Sequence, residues 1–240
     1  MNSVCAGTRR LKPRVKITSA TVDAWMRHFD AAIRGGEPLL TDLDRAIGDG
    51  DHGVNMRRGM QAVVAALDDF ASLGLSGRLR TVSRSLTSSV GGASGPLYGA
   101  FFLQAAQAAA GRDELSLAEL ALLVEAGCQG VVQLGKASVG DKTMVDTLQA
   151  AVGALKLACQ RRESLDETMA GCVAATRRAA DGTIPMQARK GRASYLGERS
   201  IGFEDPGAAS AHLLFAALAQ ALDFAGSPAP SSPFNPPMVL

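Results

Sequence analysis

The chain has 240 residues, 47% hydrophobic and 20% charged, with a formal net charge of +2 and a pI near 8.4. That length and apolar content suffice for one sizeable core, and so mild a charge balance makes no case for nucleic acid as a partner. Four cysteines without a CxxC pair (Cys5, Cys128, Cys159, Cys172) give neither a disulfide framework nor a zinc spacing, and free core thiols fit a reducing cytoplasm.

Residues 1–17 read as an irregular basic leader. Arg9, Arg10, Lys12, Arg14 and Lys16 precede the first acid, Asp23, and the apolar run of a signal peptide is missing. Apolar residues at helical spacing (Val22, Trp25, Met26, Phe29, Ile33) predict a helix over 18–34, ended by Gly35-Gly36, then a short helix from Pro38 to Ile47. Met56, Met60, Val63, Leu67 and Phe70 mark the next, and Gly74 and Gly77 break the chain after it. Further helices carry Leu79, Val82 and Leu86, then Leu97, Phe101 and Ala105. Ser116 with Glu119, and Ser164 with Glu167, have the capping-box spacing. The stripe after the first is Leu117, Leu120, Val124, Cys128 and Val131; Leu165, Met169, Cys172 and Thr176 follow the second. Between them lies a helix with Val145, Leu148, Val152, Leu155 and Cys159. Residues 181–205 show no period, and Asp205-Pro206 starts a last helix to about Phe224. From Gly226 the chain is a proline-rich tail, with five of its ten prolines. Apolar stretches are broken by Gln104 and Gln107, by Glu119 and Glu125, or by His212 and Gln220, so no membrane span is expected. About nine helical segments without strand alternation predict an all-α, single-domain antiparallel bundle over 18–225.

The chemistry concentrates between Leu43 and Asn55. Asp44 falls near a helix C-terminus, where the dipole disfavours an anion. Asp49 and Asp51 follow in a turn made supple by Gly48, Gly50 and Gly53. Three repelling carboxylates in one bend suit a cation, and all-oxygen ligation favours Mg²⁺ or Ca²⁺. An EF-hand does not fit: counted from Asp49, position 6 is Val54 and position 12 is Met60, so the glycine and bidentate glutamate are missing. A solvated acidic turn with a capping aspartate is the alternative.

Glycine turns recur at Gly91–Gly95, at Gly135–Thr143 and before Asp205. In an up-and-down bundle alternate junctions share an end, so these turns are expected to converge with the aspartate loop. The helix starts after Gly53, Gly95 and Asp205 would then offer free N–H groups to phosphate, with Ser94 adding a hydroxyl. A Walker pattern is absent. Taken singly, each glycine reads as an ordinary helix stop. His28 and His212 read as surface or satisfied core residues, His52 as a loop-fixing partner of a carboxylate, and Lys142 and Lys190 as solvated lysines.

Four motifs carry a family resemblance: Leu43-Asp44-x-x-Ile47-Gly48-Asp49-Gly50-Asp51-His52-Gly53, Gly91-Gly92-Ala93-Ser94-Gly95-Pro96-Leu97-Tyr98-Gly99, Gly140-Asp141-Lys142-Thr143-Met144-x-Asp146, and the stretch from Ala193 to Gly207 containing Tyr195-Leu196-Gly197-Glu198-Arg199-Ser200 and Asp205-Pro206-Gly207. In this order and spacing the chain resembles the nucleotide-binding L subunits of dihydroxyacetone kinases over roughly residues 18–224. The resemblance implies a barrel of about eight antiparallel helices with ADP or ATP at one end. Asp44, Asp49 and Asp51 would hold a pair of Mg²⁺ ions. His52, Gly53, Val54 and Asn55 would lie along the nucleotide, Ala93 and Ser94 would reach its phosphates, and Gly135 and Met144 would line the adenine pocket. Arg192 and the Asp205, Pro206, Gly207 turn would close over it. It further implies a separate K-type subunit that holds dihydroxyacetone. The phosphoryl donor would be either a phosphotransferase-system protein that recharges bound ADP or ATP itself. An ATP-dependent tetrulose (erythrulose) kinase subunit and a non-catalytic nucleotide sensor are the alternatives.

Overall fold

The computed structural model describes residues 16–69 and 73–223. The expected leader up to residue 15, the proline-rich tail, Cys5, Phe70 and Phe224 lie outside the described residues.

Eight α-helices follow one another: α1 Ser19–Ile47, α2 His52–Asp69, α3 Leu75–Ser89, α4 Ser94–Ala108, α5 Leu117–Gly135, α6 Met144–Arg161, α7 Leu165–Asp181 and α8 Pro206–Asp223. A 3₁₀ segment, Arg192–Ser200, lies between α7 and α8. Two two-residue strands, β1 Ile17–Thr18 and β2 Glu114–Leu115, pair antiparallel and tie the start of α1 to the α4–α5 junction.

Each helix packs against its successor, and α8 packs back against α1, so the eight form a closed ring. Its interior is one continuous core, with Trp25, Phe29, Tyr98, Phe101 and Phe102 among its largest side chains. Trp25 Nε1 donates to Leu214 O at 2.8 Å, which fixes α8 against α1 with the indole's only polar group satisfied. Both expected capping boxes form, at Ser116/Glu119 and Ser164/Glu167, and Thr18/Thr21 and Thr143/Asp146 form two more.

Three expectations need correction. First, Gly35, Gly36 and Pro38 do not end a helix; α1 runs through them for 29 residues. Met26, Ile33, Leu40 and Ile47 are all buried and seven apart, so one apolar seam spans the supposed break, and burial outweighs local propensity. Second, Gly77 lies inside α3, and only Gly74 stands at its start. Third, α5 is long and apolar enough to cross a membrane, at a mean hydropathy of 1.4. It is nevertheless a bundle helix, packed between α4 and α6, and its Glu119 and Glu125 pair with Arg112 and Lys156.

Cys128, Cys159 and Cys172 are free thiols. Burial in apolar surroundings pushes Cys128 up to about 11 and Cys172 up to about 12, so neither is a nucleophile at neutral pH.

Candidate functional site

In an up-and-down ring, the junctions α1–α2, α3–α4, α5–α6 and α7–α8 share one end. They are the aspartate loop, the Gly91 turn, residues 136–143 and residues 182–205. The N-termini of α2, α4, α6 and α8 therefore meet there, and each helix adds partial positive charge to that end. All four line a single cleft of about 180 Å³, through His52, Ser94, Met144 and Pro206. Roomier grooves, of about 430 Å³ beside Arg58 and about 590 Å³ between α7 and α8, contain no carboxylate cluster.

One wall is the aspartate loop. One carboxylate oxygen from each of Asp44, Asp49 and Asp51 can be chosen so that all lie within 4.8 Å of one another. Asp44 is held in place: the backbone N–H groups of Asp51 and His52 donate to its Oδ2 at 2.8 and 3.1 Å. Those are orphan donors of the first turn of α2, so the carboxylate at the end of α1 caps the next helix. A Cβ on Gly48 would come 2.1 Å from Asp44 Oδ1, so only glycine leaves that oxygen its space. Gly50 has φ +75°, which glycine adopts without strain. Arg192 Nη1 meets Asp49 Oδ2 at 2.7 Å and is the cation paired with the cluster among the described residues. Like charges this close repel by roughly 1 kcal/mol per pair in water and more near a protein surface. Such an all-oxygen set of three carboxylates, one pinned by backbone donors, fits a hard divalent cation such as Mg²⁺.

The start of α4 also lines the cleft. Asp51, Thr143 and Asp205 stand immediately before α2, α6 and α8. Thr143 Oγ accepts from Val145 N–H at 3.1 Å, and Asp205 Oδ2 from Ala208 N–H at 2.7 Å. At α4 the residue in that place is Ala93, with no side-chain cap. The first N–H groups of α4 thus have no side-chain cap, and Ala93 and Ser94 line the cleft.

From the cleft inward, four side chains from α2, α4 and α8 form a chain, buried except for the half-buried Ser94. Tyr98 Oη lies 2.8 Å from Ser210 Oγ, which lies 2.9 Å from His52 Nε2; His52 Nδ1 lies 3.1 Å from Ser94 Oγ. Ser210 Oγ donates to Gly207 O at 3.1 Å. It then accepts from both Tyr98 and His52 Nε2–H, and His52 Nδ1 accepts the Ser94 hydroxyl. This assignment makes His52 neutral, in accord with burial lowering its pKa against the opposing pull of Asp44 and Asp51. Burial likewise raises the Tyr98 phenol, so it stays protonated. The His52 ring thus orients Ser94 and does not reach a carboxylate; it is His52's backbone that meets Asp44.

Of the residues expected at the site, the cleft gathers Asp44, Asp49, Asp51, His52, Asn55, Ala93, Ser94, Met144, Arg192, Asp205, Pro206 and Gly207. Gly53 is instead pressed against Glu37 O and Thr41, Val54 is about half exposed, and Gly135 ends α5 behind Leu97, itself a cleft residue. Lys190 lines the cleft and is exposed. Lys142 is the clearest departure from expectation: it is 1% exposed, not solvated, and its Nζ donates to two backbone carbonyls. Tyr98 stands in one of the four family motifs but was given no role there, and Ser210 carried no sequence signal beyond a polar atom in an apolar stripe. Near Lys142, burial pushes the Asp205 carboxyl up to about 7, against the lowering effects of Ala208 N–H and the Lys142 charge.

A family model described as DAK2 domain matches residues 46–220. The chain is 48% identical over 197 residues to the Escherichia coli (strain K12) protein named PEP-dependent dihydroxyacetone kinase, ADP-binding subunit DhaL, covering 82% of this chain and 94% of that one. It is 39% identical over 202 residues to the Lactococcus lactis protein named PTS-dependent dihydroxyacetone kinase, ADP-binding subunit DhaL, covering 84% and 97%. Among solved structures, the dihydroxyacetone kinase from C. freundii in complex with AMP-PNP and Mg²⁺ matches with a TM-score of 0.62 at 27% identity, over 92% of this chain. The chain spans 38% of that kinase's length.

Proposed function

Since the chain belongs to the DAK2-domain family, we propose that it is the nucleotide-binding, phosphoryl-transferring subunit of a two-component dihydroxyacetone kinase, active in the cytoplasm. The observation that carries this reading is that a three-carboxylate cluster and the uncapped N-terminus of α4 line one cleft. The carboxylates would supply cations, and the start of α4 backbone N–H donors, to a diphosphate bound there. Asp44, Asp49 and Asp51 would hold a pair of Mg²⁺ ions, which when bound would neutralise charge on the phosphate oxygens. The start of α4, at Ala93 and Ser94, takes up phosphate through backbone N–H groups, and the buried His52–Ser210–Tyr98 chain keeps that turn oriented. Met144 offers a polarisable thioether to the base. Arg192 brings positive charge from the α7–α8 loop, where phosphoryl transfer needs charge neutralisation more than covalent protein chemistry.

The acceptor, dihydroxyacetone, sits on a separate K-type subunit. The relatives named PEP- and PTS-dependent support a donor scheme in which ADP stays bound and is recharged by a phosphotransferase-system protein. The test combines the purified chain with a K-type subunit, dihydroxyacetone and either a phosphotransferase donor chain or ATP. Phosphorylated triose above the level of either protein alone is expected. None with either donor would leave a nucleotide sensor as the better reading. Native mass spectrometry separates the donor schemes: retained ADP with magnesium supports recharging in place. An empty site that fills reversibly with Mg·ATP supports exchange, with erythrulose then tested as acceptor.

A further inference from the structure

The loop that carries Arg192 leaves and re-enters the bundle through a narrow neck. Gly202 N–H donates to Ile184 O at 2.8 Å, and Asp205 N–H donates to Thr183 Oγ at 2.9 Å. A different junction supplies the residue at this neck. Lys142 Nζ donates to Thr183 O at 2.7 Å and to Phe203 O at 2.5 Å, one carbonyl from each limb. The neighbouring Asp141 O accepts from Arg189 N–H at 3.1 Å, so the α5–α6 junction grips the loop twice.

Two features set Lys142 apart from an ordinary lysine. Its side chain is fully buried, and a buried ammonium persists only when its donors are used. Its φ is +61°, a conformation that glycine or asparagine would adopt more easily. The position is unfavourable to lysine on backbone grounds, so the side chain is what it contributes. The tip of the loop is held more weakly. The Arg192–Asp49 pair is largely exposed, and exposed pairs hold little in water. The apolar contact there is small: Ala188, Ala193 and Leu196 on Ala46 and Ile47.

We propose that Lys142 is a positioning residue whose ammonium clasps both limbs of the neck, and so sets Arg192 over the aspartate cluster on a bound nucleoside diphosphate or triphosphate. The ligand in this statement rests on the proposed nucleotide-binding function; the clasp does not.

The test uses the full chain with Lys142→Met, which keeps an unbranched stem without charge, and Lys142→Gly, which suits the backbone conformation. The loop carries its own reporters, since Arg189, Lys190, Arg192 and Arg199 are exposed trypsin sites. Without nucleotide, both folded variants are expected to be cut at these sites at least tenfold faster than wild type, with cleavage elsewhere unchanged. Calorimetry is expected to show at least tenfold weaker Mg·ADP binding. A glycine variant with wild-type loop protection and wild-type affinity would overturn the proposal. If neither variant folds, nitrogen-15 NMR of the wild-type lysine ammonium groups decides. A slowly exchanging Lys142 signal coupled to two carbonyls supports the clasp, and one exchanging as fast as Lys190 refutes it. Should wild type bind no Mg·ADP, the nucleotide reading fails, while the cleavage ratio still measures the clasp.

Discussion

Asp205 joins helix capping to ionisation in one side chain. It caps α8 through Ala208 N–H, and burial pushes its carboxyl up to about 7 from the usual 3.8. Between those values the folded state binds more protons than the unfolded state. The group's contribution to stability is therefore complete below 3.8 and is lost as pH rises through about 7. Asparagine caps equally well and does not titrate. The stability difference between Asp205→Asn and wild type is thus expected to grow by about 2 kcal/mol in the variant's favour between pH 5.5 and pH 8.5, in urea unfolding without nucleotide. Parallel pH curves for the two proteins would contradict the buried, reluctant carboxylate. His212, which burial and Arg177 bring down to about 4, weakens both proteins alike as pH falls below 6.5, so the difference isolates Asp205. At this scale the sequence displayed the kinds of residue at the site but not their solvation. Asp44, Asp49 and Asp51 stood out because three carboxylates within eight residues need a reason. Lys142 did not, because a lysine between Asp141 and Thr143 looks the same whether its ammonium faces water or two carbonyls on a distant segment. Only the chain path from Thr183 to Phe203 distinguishes them.

The helices show where local signals mislead and which longer signal corrects them. Gly35, Gly36 and Pro38 each disfavour a helix interior, yet α1 continues through all three. The seven-residue spacing of Met26, Ile33, Leu40 and Ile47 was present in the sequence across the break. It becomes decisive once α2 and α8 are known to flank α1 along its length. The two glycines then make different predictions. A Cβ at Gly35 meets nothing within 4 Å, so Gly35→Ala is expected to raise the unfolding free energy by about 1 kcal/mol, the helix-propensity difference. A Cβ at Gly36 comes 3.3 Å from Leu213 Cδ1, and Gly36→Ala is expected to gain less. Urea midpoints at unchanged slope would measure both. A loss of stability in Gly35→Ala would mean that the helix is interrupted there in solution. The capping boxes needed no such context, because Ser116/Glu119 and Ser164/Glu167 satisfy their own turn with neighbours three residues apart.

For the whole molecule, parity explains the site. With eight antiparallel helices, the starts of the even-numbered ones share an end, so the convergence of four glycine-bearing junctions follows from counting helices in the sequence. Closure does not follow from counting, since an open row would obey the same parity. Closure depends on α8 meeting α1, through contacts such as Trp25 Nε1 to Leu214 O across 189 residues. It has a thermodynamic consequence. A ligand gripped by α1, α2, α4, α6 and α8 together binds only the assembled ring, so its binding energy adds to the stability of the whole fold. At a hundredfold excess over its dissociation constant such a ligand stabilises by about 2.7 kcal/mol. For a domain of this size that raises the melting temperature by about 5–10 °C. Scanning calorimetry with Mg·ADP is expected to show one transition moved upward by that amount, and Asp49→Ala, lacking one carboxylate of the cluster, is expected to show no shift. Two transitions, with only the lower one moving, would mean that the site end melts separately and that the ring is not one cooperative unit. An unchanged shift in Asp49→Ala would leave the ring intact and remove the aspartate cluster from the nucleotide site.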